Sequence, residues 1–213
     1  MAYAAVADLR AEGVTLSTAS DARLQLLLEE ATRTIDKVTG WHFEARSATL
    51  QLDGRGTPSL WIPVPPIRLY RLALNGEDVS ISRAHLVVVG APVGPGFDGP
   101  RLTLRHGRVF PRGEGNVIVG ARWGYTEADG TPEGHTPPAI RRACMLLVLR
   151  SLSPLADESS LEERTRWRVV EERTREQSFR LDSVRPSARL LTGEPEVDAL
   201  LSPYVKPSLP GAA

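Results

Sequence analysis

The chain has 213 residues, enough for one large domain or two small ones, and balances 26 acidic against 26 basic side chains. Zero formal net charge excludes a polybasic tail for nucleic acid, an acidic block and a lysine-rich membrane-surface helix as dominant features. One cysteine, Cys144, excludes an internal disulfide and cannot by itself build a zinc site.

The opening MAYAAVADLRAEGV lacks a basic start followed by an apolar core, so no secretory signal is expected. Ala2 to Glu12 reads as a short helix stopped by Gly13. The clearest helix signal follows, from Asp21 to Gly40. Leu24, Leu27, Leu28, Ala31, Ile35 and Val38 recur at spacings of three and four and so form one buried stripe, opposite Glu29, Glu30, Arg33 and Lys37. Ser20 is a suitable N-cap, Asp21 favours the positive end of the helix dipole, and Gly40 suits a left-handed C-terminal position. The basic charge is almost all arginine, with Lys37 and Lys206 the two lysines. That bias reads as a GC-rich genome rather than a demand for forked donors.

From Glu44 to Ala121 the texture changes to short strands bounded by turn residues: SATLQLDG, SLWIPV, IRLYRLALNG, HLVVVG, PRLTLRHG and GNVIVGARW. Asn75-Gly76 between two apolar alternations predicts a hairpin, because both residues tolerate positive φ. Together the pieces predict a small antiparallel sandwich or barrel-like unit. Val89 to Pro100 is too rich in Gly and Pro for a strand and is expected to be an exposed loop. Asp53-Gly54-Arg55-Gly56 lacks the alternating oxygen ligands of a calcium loop and reads as a tight hairpin turn.

Thr136 is expected to cap a further helix, with Pro137 at its first position. Ile140, Ala143, Cys144, Leu147 and Leu152 form a stripe, and Met145, Leu146, Val148 and Leu149 make this helix apolar nearly all round. Such a helix is central and able to touch a neighbouring subunit. Its run Met145 to Leu149 is far too short to span a bilayer, so a soluble protein from a reducing compartment, with Cys144 buried and inert, is expected. Beyond Pro154 the sequence mixes charges densely, anchored by Trp167, Val169 and Phe179. A short helix is expected from Pro195, with Val197, Leu200, Leu201 and Tyr204 on one face, followed by a proline-punctuated tail suited to docking elsewhere.

Catalytic constellations are missing from this sequence. There is no G-x-S-x-G elbow and no phosphate-binding G-x-x-x-x-G-K-[ST] loop, and the glycines between Val89 and Pro100 do not open a helix. The histidines His42, His85, His106 and His135 are far apart, without metal-ligand spacing. Glu29-Glu30 is a solvated helix face, and Arg141-Arg142 near a helix start is by default solvated, or pairs with another subunit. No catalytic, cofactor-binding or metal-binding residue is expected, and no enzyme.

Three segments resemble one family. They are ATRTIDKVTGWHFEARSATLQLDGRG, the run from Asn116 through WGYT to the Thr-Pro-Pro helix entry, and GEPEVDALLSPYVKP. Their order and spacing are similar to head–tail connector (adaptor, head-completion) proteins of long-tailed bacteriophages and related gene transfer agents. The resemblance implies an α+β fold: a small helical core, an inserted antiparallel β-rich domain and an extended C-terminal arm. The implied divisions are 1–43 (helical part of the core), 44–135 (β-rich insertion), 136–153 (central core helix) and 154–213 (arm). It also implies a closed ring of dodecameric type beneath the portal in the virion, assembled in the host cytoplasm. Its partners would be the portal protein, further copies of itself and a downstream neck or tail protein. DNA would pass through without sequence-specific binding, and no membrane is involved. Val197, Leu200, Leu201 and Tyr204 carry over as portal contacts. Trp123, Gly124 and Tyr125, with Trp41 nearby, would form the joint where the β-insert returns to the helical core. The segment Glu162–Arg180 has no counterpart that aligns. An alternative is a β-domain binding module of a tail or baseplate, with the Gly/Pro loops as its reader.

Overall fold

The computed structural model describes residues 2–89, 99–152 and 191–205, together with the backbone of two short strands, 171–173 and 178–180. The expected loop between Val89 and Pro100 therefore lies outside the described residues over 90–98, as does most of Glu162–Arg180.

Among the described residues four helices build one core: α1 (Val6–Ala11), α2 (Asp21–Thr39), α3 (Pro138–Arg150) and α4 (Pro195–Leu201), the last continued by a 3-10 turn over Ser202–Tyr204. The stripe of α2 behaves as its spacing dictates. Leu24, Leu28 and Ile35 are fully buried, each gaining about 1.5–3 kcal/mol from leaving water. The Ser20 side chain accepts a hydrogen bond from the Arg23 amide, and Gly40 ends α2 in the left-handed conformation at φ 76°. On α3, Ile140, Ala143, Cys144 and Val148 are buried against α2, while Leu149 stays 37% exposed. Thr136 does not cap this helix. Pro137 occupies the cap, and the Thr136 hydroxyl instead donates to the Phe43 carbonyl at 2.8 Å.

The C-terminal helix departs from the expected arm. Val197 is 1% and Leu201 0% exposed, both within the same core as α2 and α3. The apolar stripe of α4 is thus satisfied inside its own chain, with Leu200 and Tyr204 packed partly buried beside it. Asp198 secures the entry to the helix by accepting from the Thr192 amide at 2.8 Å.

Between α2 and α3 the described residues form seven strands in two antiparallel sheets. β1 (Arg46–Gly54), β7 (Gly113–Trp123), β3 (Pro66–Leu74) and β4 (Glu77–Asp78) stand in that order in one sheet. β2 (Ser59–Trp61), β6 (Arg101–Leu104) and β5 (Leu86–Val89) form the other. Alternate residues from both sheets, among them Leu60, Leu72, Leu102, Val117, Val119 and Trp123, enclose a second core closed by Phe110. The fold is α+β. Asn75 and Gly76, at φ 52° and 87°, make the two-residue turn between β3 and β4 that their sequence predicts.

Asp53 to Gly56 is not a hairpin turn. It carries the chain from β1 in one sheet to β2 in the other, because β1 pairs with β7 and β2 with β6. A Cβ on Gly54 would stand 1.8 Å from the Pro111 carbonyl oxygen, so only glycine fits this crossing. A further antiparallel pair, β8 (Glu171–Arg173) with β9 (Ser178–Arg180), lies in the C-terminal part of the chain.

Candidate functional site

The two cores meet where α2 runs into β1 and β7 runs toward α3. Trp123 belongs to the β core: it is 2% exposed, and its indole Nε1 donates to the Ala48 carbonyl at 2.8 Å. Two residues later Tyr125 packs against the helical core. Gly124 makes the passage. Its amide donates to the Pro65 carbonyl at 2.9 Å, and the Tyr125 amide donates to the His42 carbonyl at 2.8 Å. Gly124 has φ +140°, and a Cβ there would lie 2.3 Å from the Glu44 carbonyl oxygen. Backbone conformation and space both require glycine.

Phe43 is the hub on the helical side. It is fully buried, and its ring stands edge-on to Tyr3, Tyr125 and Tyr204 at centroid separations of 5.7, 5.9 and 5.5 Å. Tyr125 and Tyr204 also meet edge-on at 5.5 Å. Each such pair adds about 0.5–1.5 kcal/mol beyond the area it buries. The cluster therefore gathers the N-terminus, the end of α2, the exit of β7 and the C-terminal turn at one point. Trp41, 5% exposed, lies in the same helical core but is placed through Thr39, whose Oγ1 accepts from the Trp41 amide at 3.3 Å.

Polar groups pin the cluster. The Tyr3 hydroxyl donates to Asp36 and accepts from the Phe43 amide, the latter at 2.9 Å. Arg46 reaches both Glu44 at 2.8 Å and Asp36 at 3.3 Å. Burial raises the Asp36 pKa, with Tyr3 and Arg46 opposing it. Burial likewise raises the Tyr3 phenol, helped by the Asp36 charge. His42 is shifted down by burial, and its Nδ1 lies 3.1 Å from the Glu44 carbonyl oxygen. These are signatures of desolvated structural groups. The cysteine of the helical core, Cys144, is fully buried, and its thiol is pushed up to about 11 by burial.

Beside the joint a groove of about 390 Å³ runs along Pro66, Tyr125, Glu127 and Glu133. Its two carboxylates are engaged, Glu133 with Arg122 and Glu127 with the Tyr204 hydroxyl. The loop behind it is tied by reciprocal Glu127–His135 main-chain bonds, both 2.9 Å. Among the described residues no group of three His, Cys, Asp or Glu side chains is placed to hold a metal ion. No described helix is long and apolar enough to cross a membrane.

Trp41, Trp123, Gly124 and Tyr125, singled out from the sequence, are gathered at or next to the joint. Val197, Leu200, Leu201 and Tyr204, grouped by their shared helix face, divide. Tyr204 joins the aromatic cluster, while Val197 and Leu201 are buried in the helical core, where α4 packs on α3. Tyr3, Asp36 and Thr136 have no part in the joint that the sequence alone assigns, and Phe43 stands out there only as a neighbour of His42. The one available signal is the density of aromatics after Gly40.

No family model matches the chain, and no curated protein matches it. Among solved structures, it is similar to a chain described as the neck of an empty GTA (gene transfer agent) particle computed with C6 symmetry. The two superpose with a TM-score of 0.59 at 17% identity, over 97% of this chain and 91% of the other. At that identity the likeness is one of fold. It extends through helices, β-insert and C-terminal helix alike.

Proposed function

We propose that the protein is a structural component of a virion neck: a head–tail connector adaptor that forms a closed ring beneath the portal, conducts DNA and receives the next neck or tail protein. The observation that carries this reading is the chain-long likeness to a neck chain of a sixfold particle, joined to the three sequence segments that resemble the adaptor family. A ring of twelve copies obeys sixfold symmetry, and the dodecamer is our assignment. Each subunit of a ring needs two different, complementary surfaces, and the exposed Leu149, Leu26 and Leu16 on the helical half offer apolar material for them. Zero net charge suits a conduit, because every neutralised phosphate would add salt-dependent retention of DNA.

The buried state of Val197 and Leu201 changes the assignment of the portal contact. In this reading α4 anchors the C-terminal segment to the core, and the contact falls to Leu200, Tyr204 and the chain that follows. The joint at Gly124 acts as the fixed corner between the ring-forming helices and the β-insert.

Light scattering with negative-stain imaging tests the proposal. Closed rings with a central hole, or rings templated by added portal, are the expected result. A monomer that neither closes alone nor binds portal overturns it.

A further inference from the structure

The β-sandwich is open along one side. β3 is covered on its outer edge only at Ala73 and Leu74, where β4 pairs, and at Leu72, whose carbonyl accepts from the Val79 amide at 2.7 Å. From Ile67 to Arg71 that edge pairs with no strand among the described residues. Among the described residues β5 is the outermost strand of the other sheet and pairs only with β6. The register shows what the opening does. Val88 stands opposite Leu102 and so points to the same face, yet Leu102 is 0% and Val88 41% exposed. An inward-facing valine is left exposed, and no strand among the described residues lies beyond it.

The gap is a groove of about 610 Å³, lined among others by Leu69, Ile81 and Val88 and by Arg68, Arg83 and Arg105. No acidic side chain lines it. None of the three guanidinium groups has an ion pair or side-chain hydrogen bond with another described residue. The edge itself is ready for pairing. The Arg105 amide donates to the His85 carbonyl, so by antiparallel alternation residues 87 and 89 also bond to β6. The same alternation turns the N–H and C=O of Val88 toward the free edge.

We propose that this groove docks an extended acidic segment of a second protein, which adds as a strand to β5. Its alternate apolar side chains would cover Leu69 and Val88, and its carboxylates would meet Arg68, Arg83 and Arg105. Strand addition takes affinity from main-chain bonds and selectivity from the alternate side chains. Charge complementarity selects the acidic partner. A nucleic acid would use the arginines but leave the apolar lining and the strand edge unused. The inference stands independently of the neck reading.

The test uses the full chain and two fluorescent heptapeptides, Glu-Val-Glu-Val-Glu-Val-Glu and its lysine counterpart, followed by anisotropy. The acidic peptide is expected to bind at least tenfold tighter, and its N-methylated form not to bind. Substituting Arg68→Glu, Arg83→Glu and Arg105→Glu together should weaken binding about tenfold, the combined effect of three partly exposed charge pairs. Hydrogen exchange of the Val88 amide should slow when the peptide is bound. Equal binding of both peptides, or binding that leaves Val88 unprotected, overturns the proposal without needing any variant. So does a duplex oligonucleotide that binds where the acidic peptide does not. Absence of peptide binding together with loss of self-assembly in the arginine variant also overturns it, and marks the groove as a contact between copies.

Discussion

Gly124 carries a demand that no other residue type meets. With φ at +140° and a Cβ position 2.3 Å from the Glu44 carbonyl oxygen, alanine must displace main chain at the corner where both cores join. Gly124→Ala is expected to cost about 2–4 kcal/mol, read from urea denaturation. His42 gives the same corner a pH dependence. Burial holds its pKa below the ordinary histidine value, so the unfolded chain takes up a proton that the folded chain refuses. Stability is therefore full above about pH 6.5 and falls as pH drops toward the lowered folded value. Urea midpoints of wild type and His42→Gln near pH 7.5 and pH 5.5 should show a smaller acid-side loss in the variant. Trp123, Gly124 and Tyr125 were legible because two bulky aromatics around a glycine, at the end of an apolar alternation, mark a change of direction. The partners Tyr3 and Thr136 were not, because they lie 40 and 93 residues from the Phe43 groups they hold. No local periodicity encodes contacts of that range.

Among the elements, α4 shows what an apolar stripe does and does not say. Val197, Leu200, Leu201 and Tyr204 announced a face to be covered. Nothing local announced that the cover is the chain's own α3. Leu201→Ala is expected to cost about 2–5 kcal/mol, because the site is fully buried between helices. Two truncations separate anchor from contact. On the proposed reading, removal of Lys206–Ala213 should reduce portal attachment while leaving α4 in the core. Removal of Pro195–Ala213 should lower the thermal midpoint, since it exposes the face of α3 against which α4 packs and opens the core that Val197 and Leu201 fill. The β-elements divide in the same way. Asn75-Gly76 fixed its hairpin, since the turn type alone dictates which residues pair. Asp53 to Gly56 holds equally strong turn residues but joins two sheets, a choice made by the distant strands β6 and β7.

At the scale of the whole molecule, two cores hang on one corner, and the proposed ring places many such corners around an axis. If the proposed ring forms, the expected observation is a closed particle with a central hole and a number of copies that is a multiple of six. Ring closure that persists in Gly124→Ala would place the subunit contacts within one core; its loss alongside retained secondary structure would place them across both. Cys144 makes the helical half separately observable. It is the chain's sole cysteine, fully enclosed, with its thiol held well above the usual range. A thiol reagent therefore cannot react until α2 and α3 part. The labelling rate in native buffer times the spontaneous opening of that half alone, with no engineered probe. Slower labelling in assembled particles than in free subunits would measure how far assembly locks the helices shut.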